Sequence, residues 1–214
     1  MSYFEVLVEG NSDVPVLREI LVRKFGLQEK LQFRIHPHKG RGKLPANPLS
    51  HPDPRQQTLL NQLPSKLRGF AHLQDIACVL VVVDVDDTPC TTMLADLNAM
   101  LEKLPNRATR VLFRLAIEET ESWFLADEKA LKMAFPKART QKLKSLEPDE
   151  IVGAWEILAD VLGIDRKSVT GADKYHWATL IAPWLDLDPP KSPSLRKLLE
   201  GIEREIRSYP ASPV

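Results

Sequence analysis

The chain has 214 residues, of which 43% are hydrophobic and 27% charged, ordinary values for a globular protein that buries a sizeable core. Lys plus Arg and Asp plus Glu both total 29, so net charge selects no anionic partner and local distribution has to carry that argument. The two cysteines, Cys78 and Cys90, lack zinc-ribbon spacing, and no apolar stretch is long enough to span a bilayer. With no apparent signal peptide, a reducing, cytoplasmic setting is expected.

Residues 3–8 read as a β-strand, followed by Glu9 and by Gly10, which permits a tight turn. Asn11 or Ser12 can cap a helix in which Val14, Leu17, Leu21 and Phe25 recur at helical spacing, with Gly26 as its stop. A weaker strand is expected at 32–36. It leads into His36-Pro37-His38-Lys39-Gly40-Arg41-Gly42-Lys43, a basic, glycine-rich loop. Prolines 45, 48, 52 and 54 keep the next stretch irregular, and a helix is expected in 55–70 with a potential break at Pro64.

Ile76 to Val83 is nearly all apolar and rich in β-branched residues, as in a strand covered on both faces. Met93, Leu94, Leu97, Leu101 and Leu104 mark another helix, and 109–117 another strand. The remainder predicts helices at Ser122 to Phe135, Asp149 to Leu162, Asp173 to Leu185 and Ser194 to Arg207. The pattern argues for an α/β fold: a mostly parallel four-stranded sheet flanked by helices, with C-terminal helical additions. A soft boundary near 136–147 divides a catalytic α/β part, 1–135, from a helical extension packed on it, 136–214.

Acidic residues follow three of the expected strands: Glu9, then Asp84-Val85-Asp86-Asp87, then Glu118-Glu119-Thr120-Glu121. Parallel strands would bring these ends to one edge, where open α/β sheets place ligands. Converging carboxylates repel unless a cation lies among them, and an all-oxygen site suits Mg²⁺ or Mn²⁺. Asp84 and Asp86, two apart, point the same way in extended chain. An acidic turn is the plainer explanation of D-x-D, but its place beyond the most apolar strand favours metal ligation. Asp13 falls in a first helical turn, where an N-terminus also favours anions. Glu118 and Glu121, three apart, could share a helical face and are ranked ahead of Glu119; some of the three must be simple first-turn acids. His38, Lys39, Arg41 and Lys43 can bind phosphate or nucleic acid, or form a solvated basic loop; His36 and His38 could equally ligate metal or act as acids. Lys174 could reach a phosphate, although Asp173 reads first as a helix cap.

Glu9-Gly10 followed in order by Asp84-x-Asp86 resembles the Toprim domain of topoisomerases, bacterial primases and the overcoming-lysogenization-defect nucleases. Val8 to Asp13, of the form V-E-G-x-x-D, is similar to the nuclease branch in particular. The segment Glu119 to Asp127, with Gly171 to Lys174, also looks like an uncharacterised bacterial Toprim-related family often found beside ATPase genes. The resemblance implies that Glu9, Asp84 and Asp86 are catalytic, and that Asp13 and Glu121 help them hold one or two Mg²⁺ or Mn²⁺ ions; Glu118 joins the candidate ligands on its spacing alone. Two such ions can stabilise the attacking and leaving oxygens of an in-line displacement.

The chain departs from the family's other branches. Its tyrosines, Tyr3, Tyr175 and Tyr209, stand in no topoisomerase-like setting, its cysteines cannot build a primase zinc module, and an ATPase would have to be a partner protein. The resemblance therefore implies a nuclease acting on DNA or RNA, with a setting in mobile-element or phage defence. Two alternatives stay open. Asp84-x-Asp86-x-Thr88 resembles the nucleophile motif of haloacid-dehalogenase-like phosphatases, and a Toprim-like fold could bind nucleic acid or an ATPase without turnover.

Overall fold

The computed structural model describes residues 3–73, 76–85 and 88–208. Asp86, Asp87 and Tyr209 lie outside the described residues, so the geometry of the D-x-D pair is carried by Asp84 alone. Four strands, β1 (Tyr3–Val8), β2 (Phe33–Pro37), β3 (Ala77–Asp84) and β4 (Val111–Ala116), pair in the order β2-β1-β3-β4, all parallel. The expected α/β architecture is therefore present, and the sheet is wholly parallel.

β3 lies inside the sheet, and its residues from Ala77 to Val83 are all buried. That explains the apolar run: a strand covered on both faces cannot alternate polar and apolar positions. Ile76, expected to open this strand, lies outside it and is exposed.

The period-two alternation of β1 and β3 separates two cores. Phe4, Val6, Val8, Cys78, Leu80 and Val82 belong to one, with α1 (Asp13–Glu19) and the C-terminal helices. Leu7, Val79, Val81 and Val83 belong to the other, under α2 (Leu59–Gly69) and α3 (Cys90–Glu102). Both cysteines are free, and Cys78 is fully buried.

Several helices differ in detail from their periodicity. The first does not continue as regular α-helix to Phe25; it widens into a π-helical segment at Ile20–Lys24, and Gly26 follows with φ 65°. Pro64 does not break α2. It removes one intrahelical donor, while buried Leu59, Leu60, Leu63 and Leu67 hold the helix against the sheet. The helix expected over 122–135 is two, α4 (Glu121–Leu125) and α5 (Glu128–Ala134), because Asp127 stops the first and caps the second by accepting from Ala130 N–H at 2.9 Å. The helix expected from Asp149 starts later, as α6 (Ala154–Leu162), after a short 3₁₀ turn. α7 (Gly171–Ile181) opens two residues early on a Thr170–Asp173 capping box and ends in a 3₁₀ turn at Ala182–Trp184. α8 (Pro193–Arg207) lies along β4, its Glu205 paired with Arg110.

Residues from 136 onward share the first core with α1 and α4: α6 packs on α4, and α7 on α1. No helix among the described residues is long and apolar enough to cross a membrane.

Candidate active site

From β1 the chain crosses to β2 on one side, then returns to place β3 on the other side of β1. The crevice outside the carboxyl ends of β1 and β3 is thus the topological switch point, the position where such sheets bind ligands. Glu9 immediately follows β1 and Asp84 ends β3. The two meet there: Asp84 N–H donates to Glu9 Oε1 at 2.9 Å across a separation of 75 residues.

Asp13, in the first turn of α1, is 5% exposed and so is Glu121, the first residue of α4. Asp13 Oδ2 accepts from Gly10 N–H at 2.9 Å. The Thr120 hydroxyl donates to Asp13 Oδ1 at 3.0 Å and lies 3.5 Å from Glu121 Oε2. Thr120 therefore joins the first and third acidic segments, a role its place between glutamates did not reveal.

The electrostatics follow from crowding. Desolvation raises the Asp84 pKa well above the ordinary carboxylate value, and the charges of Asp13, Glu9, Glu121 and Glu119 raise it further. Burial also raises Asp13 and Glu121, against the lowering effects of the Gly10 N–H on Asp13 and of Lys174 on both. Glu119 is pushed up to about 7, by burial first and by Glu121 second, with Lys174 opposing.

The cation opposing this crowding comes from the C-terminal helices. Lys174 Nζ lies 3.2 Å from Glu119 Oε1 and 3.6 Å from Glu121 Oε1, and 4.9 Å from the centroid of the Trp155 ring. Burial disfavours its charge, but Glu121 and Glu119 outweigh that and raise its pKa. The ammonium is thus engaged by carboxylates in this structure, while Asp173 serves as the expected cap.

Glu118 and Glu119 diverge. Glu118 adopts φ 60°, and its Oε2 accepts from Gly153 N–H at 3.1 Å. Glu119 Oε2 accepts from Trp155 N–H at 3.0 Å, while its other oxygen meets Lys174. Both carboxylates thus serve the N-terminus of α6, whose first N–H groups have no intrahelical partner. Glu118 lies ahead of α4 rather than on a helical face shared with Glu121, and Glu119 rather than Glu118 bears electrostatically on Asp84. The left-handed backbone at Glu118 separates the neighbours, and adjacent identical residues carry no sign of it.

The basic loop packs beside this edge. Leu59 and Leu60 N–H donate to the carbonyls of Gly40 and Arg41, at 2.9 and 2.8 Å, so the open start of α2 holds the loop. Gly42 has φ 68°, and a Cβ there would collide with Thr58 Oγ1. Arg41 reaches across to donate to the Asp84 carbonyl at 3.1 Å. His38 Nδ1 donates to the Val8 carbonyl at 2.8 Å, with burial and then the Lys66 charge lowering its pKa against that bond, so the imidazole is neutral near pH 7. His36 instead pairs with Glu5, a buried carboxylate that sequence reasoning passed over. Lys39 and Lys43 are exposed.

The donor set is all oxygen and rich in negative charge, half-buried at Glu9 and Asp84 and buried at Asp13 and Glu121, the chemistry a hard divalent cation requires. Among the described residues, no three Asp, Glu, His or Cys side chains are arranged as a ready cage for one.

Fold and site together define an all-parallel α/β protein whose switch-point crevice is lined by carboxylates. The chain belongs to the family described as "Domain of unknown function (DUF4276)", whose sequence profile matches residues 8–203. No curated protein and no solved structure matches it.

Proposed function

We propose that this protein is a Mg²⁺- or Mn²⁺-dependent nuclease that hydrolyses phosphodiester bonds of DNA or RNA. The observation that carries the reading is the junction of Glu9 and Asp84 at the switch point, where burial first and then the charges of Asp13, Glu9, Glu121 and Glu119 raise the Asp84 pKa. Such crowding costs stability unless a cation offsets it. Glu9, Asp13, Asp84 and Glu121 would hold the ion, joined by Asp86 from its place in the sequence. A bound divalent cation supplies neutralisation of phosphate charge and polarisation of the reacting oxygens.

The chain's own groups then have separate tasks. The Asp84 N–H fixes Glu9, while Gly10 and Thr120 fix Asp13. Glu119, with its pKa near 7, is suited to take and return a proton at neutral pH. Lys174 balances part of the charge and is positioned to meet a phosphate oxygen once the carboxylates are otherwise neutralised. A defence role and an ATPase partner belong to the same proposal and rest on the sequence resemblance, and a cytoplasmic setting joins them from the cysteine usage and the lack of an apparent signal peptide.

The test is cleavage of single- and double-stranded DNA and RNA with Mn²⁺ or Mg²⁺, alongside calorimetric Mn²⁺ binding. Asp84→Asn and Glu9→Gln should remove cleavage and weaken ion binding while leaving the fold intact. Cleavage that survives Asp84→Ala would refute the assignment. Turnover of small phosphoesters through a trapped aspartyl-phosphate at Asp84 would point to the phosphatase alternative. Ion binding without cleavage of any nucleic acid would favour the non-catalytic module.

A further inference from the structure

Beside the carboxylates lies a pocket of about 420 Å³ of opposite chemical character. Lys39, Lys66, Asn11, Gln57, Gln62 and His38 are among its lining residues, and no Asp or Glu is. Neither lysine is ion-paired among the described residues, unlike Lys174. The neutral His38 adds no charge of its own, so the two ammonium groups set the sign of the pocket and the side-chain amides add neutral donors. Cations with amide donors and no competing carboxylate form an environment for an oxyanion.

The pocket is built directly onto the acidic site. His38 donates from both its backbone N–H and its Nδ1 to the Val8 carbonyl, and Gly40 N–H donates to the Glu9 carbonyl at 2.8 Å. Asn11 belongs to the turn between Glu9 and Asp13. Lys39 N–H donates to the Gln57 carbonyl at 2.9 Å, closing the basic loop against the segment before α2. The lining thus comes from three separate stretches of chain, which the glycine-rich loop alone did not indicate.

We propose that this pocket is an oxyanion subsite that seats a phosphodiester group of a nucleic-acid strand one step along the backbone from the carboxylate crevice. The identity of the anion rests on the nuclease reading; the presence of an oxyanion site does not. Lys39 and Lys66 are its charged contacts. Arg41, bonded to the Asp84 carbonyl, belongs to the crevice wall rather than to this pocket.

The experiment uses the full chain in EDTA, so that binding is read without turnover. A fluorescent single-stranded oligonucleotide is titrated by anisotropy across a salt series, with inorganic phosphate as a second probe followed by NMR. Each phosphate contact on a single strand contributes about 0.7 to the slope of log affinity against log salt. The Lys39→Ala/Lys66→Ala double variant, which vacates the one seated phosphate, should lower that slope by about 0.7 and weaken binding roughly fivefold at 0.1 M salt. Lys39→Arg/Lys66→Arg should keep the slope, and an unchanged urea midpoint in all three proteins establishes that folding is not the cause.

An unchanged slope and affinity in the double alanine variant, with phosphate binding also unchanged, would overturn the subsite, whatever cleavage shows. Phosphate binding through the lysines with oligonucleotide binding indifferent to them would overturn the assignment to nucleic acid. Slope lost as expected, with no Mn²⁺-dependent cleavage by the unaltered protein, would strike the nuclease reading and leave the oxyanion subsite standing.

Discussion

The ion-free protein should lose stability as pH rises through neutrality, and Glu119→Gln should remove the part of that loss that Glu119 contributes. Glu119 rises from an ordinary 4.5 to about 7 in the folded chain. Between those values the folded state binds more protons than the unfolded state, so the stabilising contribution is complete below about 4.5 and disappears as pH passes 7. At ~1.4 kcal/mol for each factor of ten in proton affinity, the difference amounts to about 3 kcal/mol. Asp13, Asp84 and Glu121 are shifted in the same direction, so the unaltered protein loses at least as much. Urea unfolding from pH 5 to 8.5 in EDTA measures it, and saturating Mn²⁺ should flatten the profile. A Glu119→Gln profile parallel to that of the unaltered chain would refute the assignment, as would stability that increases with pH.

Lys174→Met should destabilise the ion-free protein at pH 8 by about 2 kcal/mol, because it strips buried carboxylates of a cation, and added Mn²⁺ should restore much of the loss in a thermal-shift series. Gly42→Ala, which requires a left-handed backbone and meets Thr58, should cost about 1–3 kcal/mol by urea denaturation and loosen the basic loop in hydrogen exchange. Asp127→Ala removes acceptors from the Ala130 and Asp186 N–H groups, and should lower the unfolding free energy by about 1–2 kcal/mol without altering Mn²⁺ affinity.

The strands were legible because hydrophobic runs and their spacing depend on local chemistry. Ile76 to Val83 read as an interior strand, which it is from Ala77 on, and the helices between the runs argued for parallel pairing. Given that topology, Glu9 and Asp84 had to share an edge. The third acidic segment could not be resolved in the same way, because one left-handed residue, Glu118, decides which neighbour faces the crevice. Glu118 consequently holds Gly153, while Glu119 reaches the cluster. Long-range partners were equally hidden. Lys174 read as a helix-start residue, and nothing in the sequence linked it to Glu121 or to the ring of Trp155. Helix ends were set by side chains whose targets lie elsewhere, as with Asp127, which also accepts from Asp186 N–H.

The ammonium of Lys174 divides the genetic information for one charge balance between distant parts of the chain. A fragment ending before α7 would hold all four strand sequences and every carboxylate at their ends, yet lack both Lys174 and the part of the first core that α7 and α8 supply. It would then depend on dissolved cations for a duty the intact polypeptide performs from within.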